Sequence, residues 1–440
     1  MVPQTLTPDL LSWADEALPG YPPQYPPVAA WGPLAPERIQ AAWSDRPASA
    51  PFGVYLHVPF CRQVCLFCGI LYRESVPGPG RVDALVEALE EEARLYGRWL
   101  QGTVDAMFWG GGTPTLLSAA QLRRLTAALA GALPLASGGW FGIEANPESL
   151  DVERLAALEE AGLSYLSLGV QSLEDGVLAA ARRPHTQEQA RVAFALARRS
   201  GAALNVDLIA GLEGQQRRGF LRDVAEVAAW SPESVHLSWF KEFPSVPWVR
   251  MGRRRPEADR RAWVRWVEEG LGLLEARGYV RDGEFSAARP GFTRPWLSAD
   301  AVSGRAAVLG LGPGAFSCVP GALRCQNEWG SAAYADAVGR GRPPVRRGTV
   351  PSPRQERIHT LLQAFAGRGR LEDADFERRF GELPLAAFGP QLRRLLRAGV
   401  LERREAGWAV KAAGSAAFEL ARTFYEADVV RALRSAGGRA

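Results

Sequence analysis

From Gly53 to about Val280 short apolar runs alternate six times with longer stretches of helical period. Such alternation predicts βαβ units, and therefore an α/β fold built on a parallel sheet. The strand candidates are Val54–Val58, Ala106–Trp109, Trp140–Ala145, Tyr165–Gly169, Ala203–Ile209 and Ser234–Phe240. Between them lie helix candidates at Arg81–Leu100, Ala119–Ala132, Asp151–Ala161, Thr186–Ser200 and Arg217–Ala229, with a further long helix at Arg260–Arg277. At 440 residues the chain exceeds the ~250–300 residues at which one core stops growing, so a second module is expected.

The first strand runs straight into Cys61-Arg-Gln-Val-Cys65-Leu-Phe-Cys68. Three thiolates in this CxxxCxxC spacing can hold three irons of a [4Fe–4S] cluster and leave the fourth iron open to a small ligand. A structural zinc site normally closes with four ligands in paired spacing, and no such pair is present. Cys318 and Cys325 lie far along the chain and read as small apolar residues. The loop resembles the signature of the radical S-adenosylmethionine (SAM) enzymes, down to the aromatic before the third cysteine. In that family SAM chelates the open iron and is cleaved reductively to a 5′-deoxyadenosyl radical.

Each later strand ends in a polar or glycine-rich segment. Trp109-Gly-Gly-Gly-Thr-Pro-Thr115 lets backbone pass close to a ligand and matches the family motif for the amino end of SAM. Glu144 in Ile143-Glu-Ala-Asn-Pro147 suits an ammonium group, and Gln171 in Ser167-Leu-Gly-Val-Gln-Ser172 suits ribose or carboxylate contacts. Arg183 can pair with the SAM carboxylate, with Arg182 beside it as the alternative inward-facing residue. Asp207 is an acid inside an apolar strand and is a candidate for a ribose hydroxyl. Leu309-Gly-Leu-Gly-Pro-Gly-Ala-Phe-Ser317 is a second glycine-rich turn, read as bringing backbone close to a flat ligand.

Taken in order, these motifs resemble the family of oxygen-independent coproporphyrinogen III oxidases and their relatives over roughly residues 50 to 430. The resemblance implies a partial (β/α)6 barrel with its site at the C-terminal strand ends. It also implies a cluster on Cys61, Cys65 and Cys68, and two SAM molecules. Contacts to SAM are expected from Tyr55, Gly111, Gly112, Thr113, Glu144, Gln171, Arg183 and Asp207, with backbone of Gly312 and Ala315. The expected organisation is a Pro/Tyr-rich arm over 1–50, the barrel over 51–290, a connecting segment with the glycine turn over 291–350, and a mainly helical, winged-helix-like domain over 351–440. The arm reads either as a leader without order or as a strap over the mouth of the site.

Two departures from the oxidase pattern point to another branch. Cys68-Gly-Ile70 lacks a further cysteine two residues on, and Trp296–Val302 replaces an aromatic-rich segment before the glycine turn. The expectation is therefore a class C methyltransferase or cyclopropanase, in which a second SAM gives a methyl or methylene group to an sp2 carbon of a planar, natural-product-like substrate. Radical decarboxylation of coproporphyrinogen III propionates is the alternative, and a haem chaperone a further one. Tyr55, Glu284 and His236 are candidates for proton handling, and Trp239, Phe240, Phe243 and Trp248 for lining a planar pocket.

A flavodoxin or ferredoxin reductant and a companion methyltransferase are the expected partners. A net charge of +4 over 440 residues is mild, and Arg253 to Arg255 reads as a solvated face, so no nucleic-acid partner is expected. No apolar run reaches the ~18 residues of a membrane span. With three cysteines assigned to an oxidisable cluster, the expected compartment is the cytoplasm.

Overall fold

The computed structural model describes residues 24–70, 72–75, 78–243, 245–283, 285–293, 306–411, 420 and 423–431. Six consecutive parallel strands form its centre: β1 (Phe52–Val58), β2 (Val104–Gly111), β3 (Leu135–Ala145), β4 (Tyr165–Gln171), β5 (Ala203–Ala210) and β6 (Ser234–Trp239). Helices α1 (Pro79–Gly97), α2 (Ala119–Ala132), α3 (Val152–Glu160), α4 (Gln187–Arg198) and α5 (Arg217–Trp230) make the crossovers, and α6 (Glu257–Glu275) follows β6. Local chemistry sets the helix starts. Ser118 and Thr186 each form a capping box with a glutamine three residues on, which satisfies orphan N–H groups at both ends of the exchange.

One face of each strand is apolar and fully buried, as with Val54, Leu56 and Val58 of β1 or Leu166, Leu168 and Val170 of β4. The alternate residues, Tyr55 and His57 or Ser167 and Gly169, face the other way and line a cavity. Below the cavity this inward face carries aromatics. Phe108 stacks on Trp140 with centroids 6.1 Å apart, Trp140 meets Tyr165 at 5.3 Å, and Tyr165 stacks on Phe292 at 6.3 Å.

The sheet does not close on itself. Beyond β6 it continues antiparallel through β8 (Ser286–Ala288) and β7 (Val280–Gly283). On the other side β9 (Ala307–Leu311) pairs parallel with β1, and β10 (Phe316–Val319), β11 (Leu323–Asn327) and β12 (Val345–Thr349) extend it antiparallel to twelve strands. Residues 306–349, read from sequence as a connecting segment, thus build a third of the sheet. They escaped the apolar pattern because β11 buries Arg324, Gln326 and Asn327 along with Leu323 and Cys325.

Helix α7 (Ser331–Gly339) packs on α1. There Glu92 of α1 is fully buried and accepts hydrogen bonds from Gly312 N (2.8 Å), Asn327 Nδ2 (2.8 Å) and Tyr334 Oη (2.5 Å). Burial outweighs these donors and pushes its carboxyl up to about 8. Because the folded value lies above the unfolded one, this group's contribution to stability is fully present below about pH 4.5 and is lost as pH rises through about 8. Glu92→Gln is expected to flatten the Tm-against-pH curve across that window. A variant curve parallel to that of the wild type would refute the assignment.

The C-terminal module comprises α8 (Pro353–Arg368), β13 (Arg370–Glu372), α9 (Asp373–Phe380), α10 (Pro384–Arg397) and the hairpin of β14 (Leu401–Arg404) and β15 (Gly407–Val410). Three helices with a three-stranded wing have their own apolar core, including Leu361, Phe376, Phe388, Leu392 and Trp408. Tyr25 of the N-terminal arm is inserted in that core, its N–H directed at His359 Nδ1 (3.3 Å) and its hydroxyl receiving Glu426 N at 2.9 Å. Farther on, Trp31 packs edge-on against Phe316 at 5.9 Å, and Gly32 bridges to Gly348. The described part of the arm is therefore ordered against the C-terminal core and the back of the cavity wall. Among the described residues no helix is long and apolar enough to cross a membrane.

A candidate cluster and SAM site at the strand ends

The cysteine loop leaves the end of β1 and folds over the mouth of a cavity of ≈ 460 Å³, a volume typical of small-molecule sites. Cys61, Cys65 and Cys68 all line it, the first two buried and the third half-buried, and none forms a disulfide. Burial pushes the Cys61 thiol up to about 12 and raises that of Cys68. Thiolates so disfavoured on their own need a metal to hold them deprotonated. Among the described residues no three His, Cys, Asp or Glu side chains are set around a single ion. Three thiols that border one cavity suit a cluster, in which each thiolate takes a different iron.

The glycines after β2 have a packing reason. A Cβ on Gly112 would lie 2.5 Å from the Phe60 carbonyl oxygen, and one on Gly111, at φ +114°, would lie 2.6 Å from the His57 ring. Strand β2 thus closes directly against the cysteine loop, with Gly112 N donating to Val58 O at 2.8 Å. Thr113, buried beside it, directs its hydroxyl at Cys61 Sγ (3.9 Å) and receives Asn146 Nδ2 at 3.0 Å. His57 is held between Tyr55 Oη (3.1 Å) and Tyr72 O (2.9 Å), and burial lowers its pKa to about 4. An imidazole that is neutral and bonded to the Tyr72 carbonyl through Nε2 must accept from Tyr55 at Nδ1.

Glu144, Asp207 and Arg183 face one another across the same space. Glu144 accepts from Gly111 N at 3.0 Å, and burial followed by the charge of Asp207 pushes its carboxyl up to about 7. An ammonium group bound there would draw it back to the carboxylate. Burial works to raise the pKa of Asp207, but hydrogen bonding and charge from His236, Ser167 and Asn205 win and hold it below its ordinary value. Ser167 Oγ and Asn205 Nδ2 reach its two oxygens at 2.8 and 2.9 Å, and His236 Nδ1 lies 3.4 Å away.

The choice between the two arginines is settled by backbone. Arg182 takes φ +55° and is exposed, which turns Arg183 inward. Arg183 donates to Asn146 Oδ1 (2.9 Å), Gly169 O and Cys65 Sγ (3.5 Å), while its buried Nε has no partner. An unpaired buried guanidinium N–H beside the cysteines fits a ligand carboxylate. Gln171, at φ +69°, ends β4 with a register shift and also lines the cavity.

Other sequence expectations are placed elsewhere. Gly312 does not line the cavity: its N–H is taken by Glu92, and a Cβ there would meet His57 O at 2.4 Å, so it serves close strand packing, whereas Ala315 is in the wall. Phe240 and Trp248 are buried together in the core, centroids 5.4 Å apart, and Trp239 and Phe243 pack against that core; none of the four lines the cavity. Their helix-side apolar neighbours claim them. Glu284 lies outside the described residues. Conversely Asn146, Ser167, Tyr72, Arg73 and Phe316 line the site without having been singled out. Asn146 carried a signal, since it stands two residues after Glu144, and Ser167 lies on the same strand as Gln171, on the face opposite its buried apolar residues.

Comparison with known proteins agrees with this geometry. The radical SAM superfamily pattern matches residues 55–226. An oxygen-independent coproporphyrinogen III oxidase of Cereibacter sphaeroides is 30% identical over 393 residues, 84% of this chain and 85% of that protein. The protein of the same name from Paracoccus denitrificans is 33% identical over 287 residues, spanning 63% of this chain and 62% of its own length. The solved structure of coproporphyrinogen III oxidase from Escherichia coli superposes with a TM-score of 0.80 over 92% of this chain and 96% of that one, at 24% identity. The cysteines and cavity fit the [4Fe–4S] cluster and SAM of this superfamily, and the chain is a radical SAM enzyme belonging to the family of oxygen-independent coproporphyrinogen III oxidases.

Proposed function

We propose that this enzyme carries out radical decarboxylation of propionate side chains on a porphyrinogen. What carries the reading is the extent of the likeness: 84% of the chain aligns with 85% of a named coproporphyrinogen III oxidase. Converting a propionate to a vinyl group removes CO2, one hydrogen atom, which would pass to the 5′-deoxyadenosyl group, and one electron, which offsets the one spent in cleaving SAM, so that one SAM per vinyl group is the net oxidant. When bound, the cluster supplies the electron that cleaves SAM; the chain's own residues bind, orient and shield. Cys61, Cys65 and Cys68 hold the cluster, and Glu144 and Arg183 take the amino and carboxylate ends of SAM. Asp207, with two hydrogen-bonding neighbours already fixed on it, takes a ribose hydroxyl. Arg73 adds a second guanidinium to the wall, and among the described residues no carboxylate pairs with it, which suits an anionic substrate.

Methyl or methylene transfer, expected from the sequence departures, has no support in the relatives compared, and neither does a companion methyltransferase. For a haem chaperone the supply of axial ligands is poor, since of the four histidines His57, His185 and His359 are buried and hydrogen-bonded and His236 lies 3.4 Å from the Asp207 carboxylate. A direct test reconstitutes the cluster without oxygen and adds reductant, coproporphyrinogen III and SAM with a deuterated methyl group. The expected result is porphyrinogen-dependent, unlabelled 5′-deoxyadenosine together with a decarboxylated porphyrin in the mass spectrum. Deuterium in the deoxyadenosine would overturn the reading in favour of attack on a second SAM.

A further inference from the structure

Strand order places a second group of residues at the same end of the sheet as the cysteine loop, behind Tyr72 of the cavity wall rather than in the lining itself. β9 runs parallel to β1, β10 reverses it and β11 reverses again, so the end of β11 and the start of β12 lie at the same end of the sheet as the cysteine loop. Arg346 and Arg347 leave β12 there, and Trp329 follows β11. Both guanidiniums gather on the Trp329 ring, with Cζ 4.2 Å from its centroid for Arg346 and 5.2 Å for Arg347. The ring is 38% exposed and its centroid is 5.1 Å from that of Tyr72, whose side chain lines the cavity.

The Arg347 head is fixed in advance. Buried Gln326 donates through Nε2 to Tyr72 Oη at 2.7 Å and accepts Arg347 Nε on Oε1 at 2.9 Å, so one amide sets both side chains. Arg346 has a distant carboxylate, Glu328 at 3.8 Å, while Arg347, half-buried, has none among the described residues. A half-buried guanidinium held rigid by its Nε, lying against an aromatic face and lacking a counter-ion, has the geometry of a carboxylate receptor.

We infer that Arg347, supported by Gln326 and Trp329 beside Tyr72 of the cavity wall, is a carboxylate anchor that holds, just outside the cavity, a propionate of the tetrapyrrole not undergoing reaction. The inference rests on the porphyrinogen reading above and names a residue that positions substrate. Its neighbour Arg346, exposed and partly neutralised by Glu328, strengthens the local positive field but does not fix a geometry.

The test uses cluster-loaded enzyme with SAM, and measures binding and turnover of coproporphyrinogen III beside etioporphyrinogen, which has no carboxylates. Arg347→Gln is expected to raise Kd and KM for coproporphyrinogen by about tenfold or more while kcat and cluster absorption stay as in the wild type. Arg347→Lys should recover part of the loss, and Arg346→Gln should change KM by only ~2-fold. Etioporphyrinogen should bind weakly to wild type and variant alike. An Arg347→Gln enzyme that binds coproporphyrinogen as tightly as wild type, or that loses only kcat, overturns the anchor and leaves the oxidase reading intact. Wild-type enzyme that neither binds nor converts coproporphyrinogen overturns both.

Discussion

Changing any one of Cys61, Cys65 or Cys68 to alanine is expected to abolish SAM cleavage, with activity falling at least ~10³-fold, a small part of the acceleration such enzymes supply. The three thiols are not interchangeable with any other donor near the cavity, since Cys318 and Cys325 belong to β10 and β11 and do not line it. Iron and sulfide content and the charge-transfer absorption of the reconstituted protein should disappear with the activity. Cys318→Ala, the matching control, should keep both. A triad variant that retains its cluster absorption would show that the iron site lies elsewhere.

Arg183→Lys is expected to weaken SAM binding by about 10²–10³-fold, because one or two charge-assisted hydrogen bonds of ~1.5–3 kcal/mol each are lost. Lysine keeps the charge but cannot serve Asn146, Gly169, Cys65 and an incoming carboxylate from one planar head, as the arginine does. Calorimetric titration of SAM into the cluster-loaded variant measures this. Unchanged affinity would mean that Arg183 only braces the loop between β4 and the cysteines.

The parallel centre was legible because short, largely apolar runs alternate six times with longer helical stretches, the mark of βαβ units, even though one face of each strand turns to the cavity. Helix α2 was read to the residue, since Ser118 and Gln121 mark its start and its apolar stripe runs unbroken to Leu129. The site was legible where a motif carried it: Cys61, Glu144 and Asp207 all face the cavity. What stayed hidden depends on partners distant in sequence. Nothing local to Arg324 shows that its charge is met by Glu356, and nothing local to Gln326 shows Tyr72. The glycine triplet was legible as a close approach, yet the approaching group is the chain's own Phe60 carbonyl. Trp248 and Phe240 have the composition of a flat pocket, and only the packing of α6 and β6 makes them core.

The aromatic layer of Phe108, Trp140, Tyr165 and Phe292 continues the inward face of the strands below the residues that line the cavity, so that end of the sheet is packed rather than open. Whatever binds deepest has to arrive first and depart last.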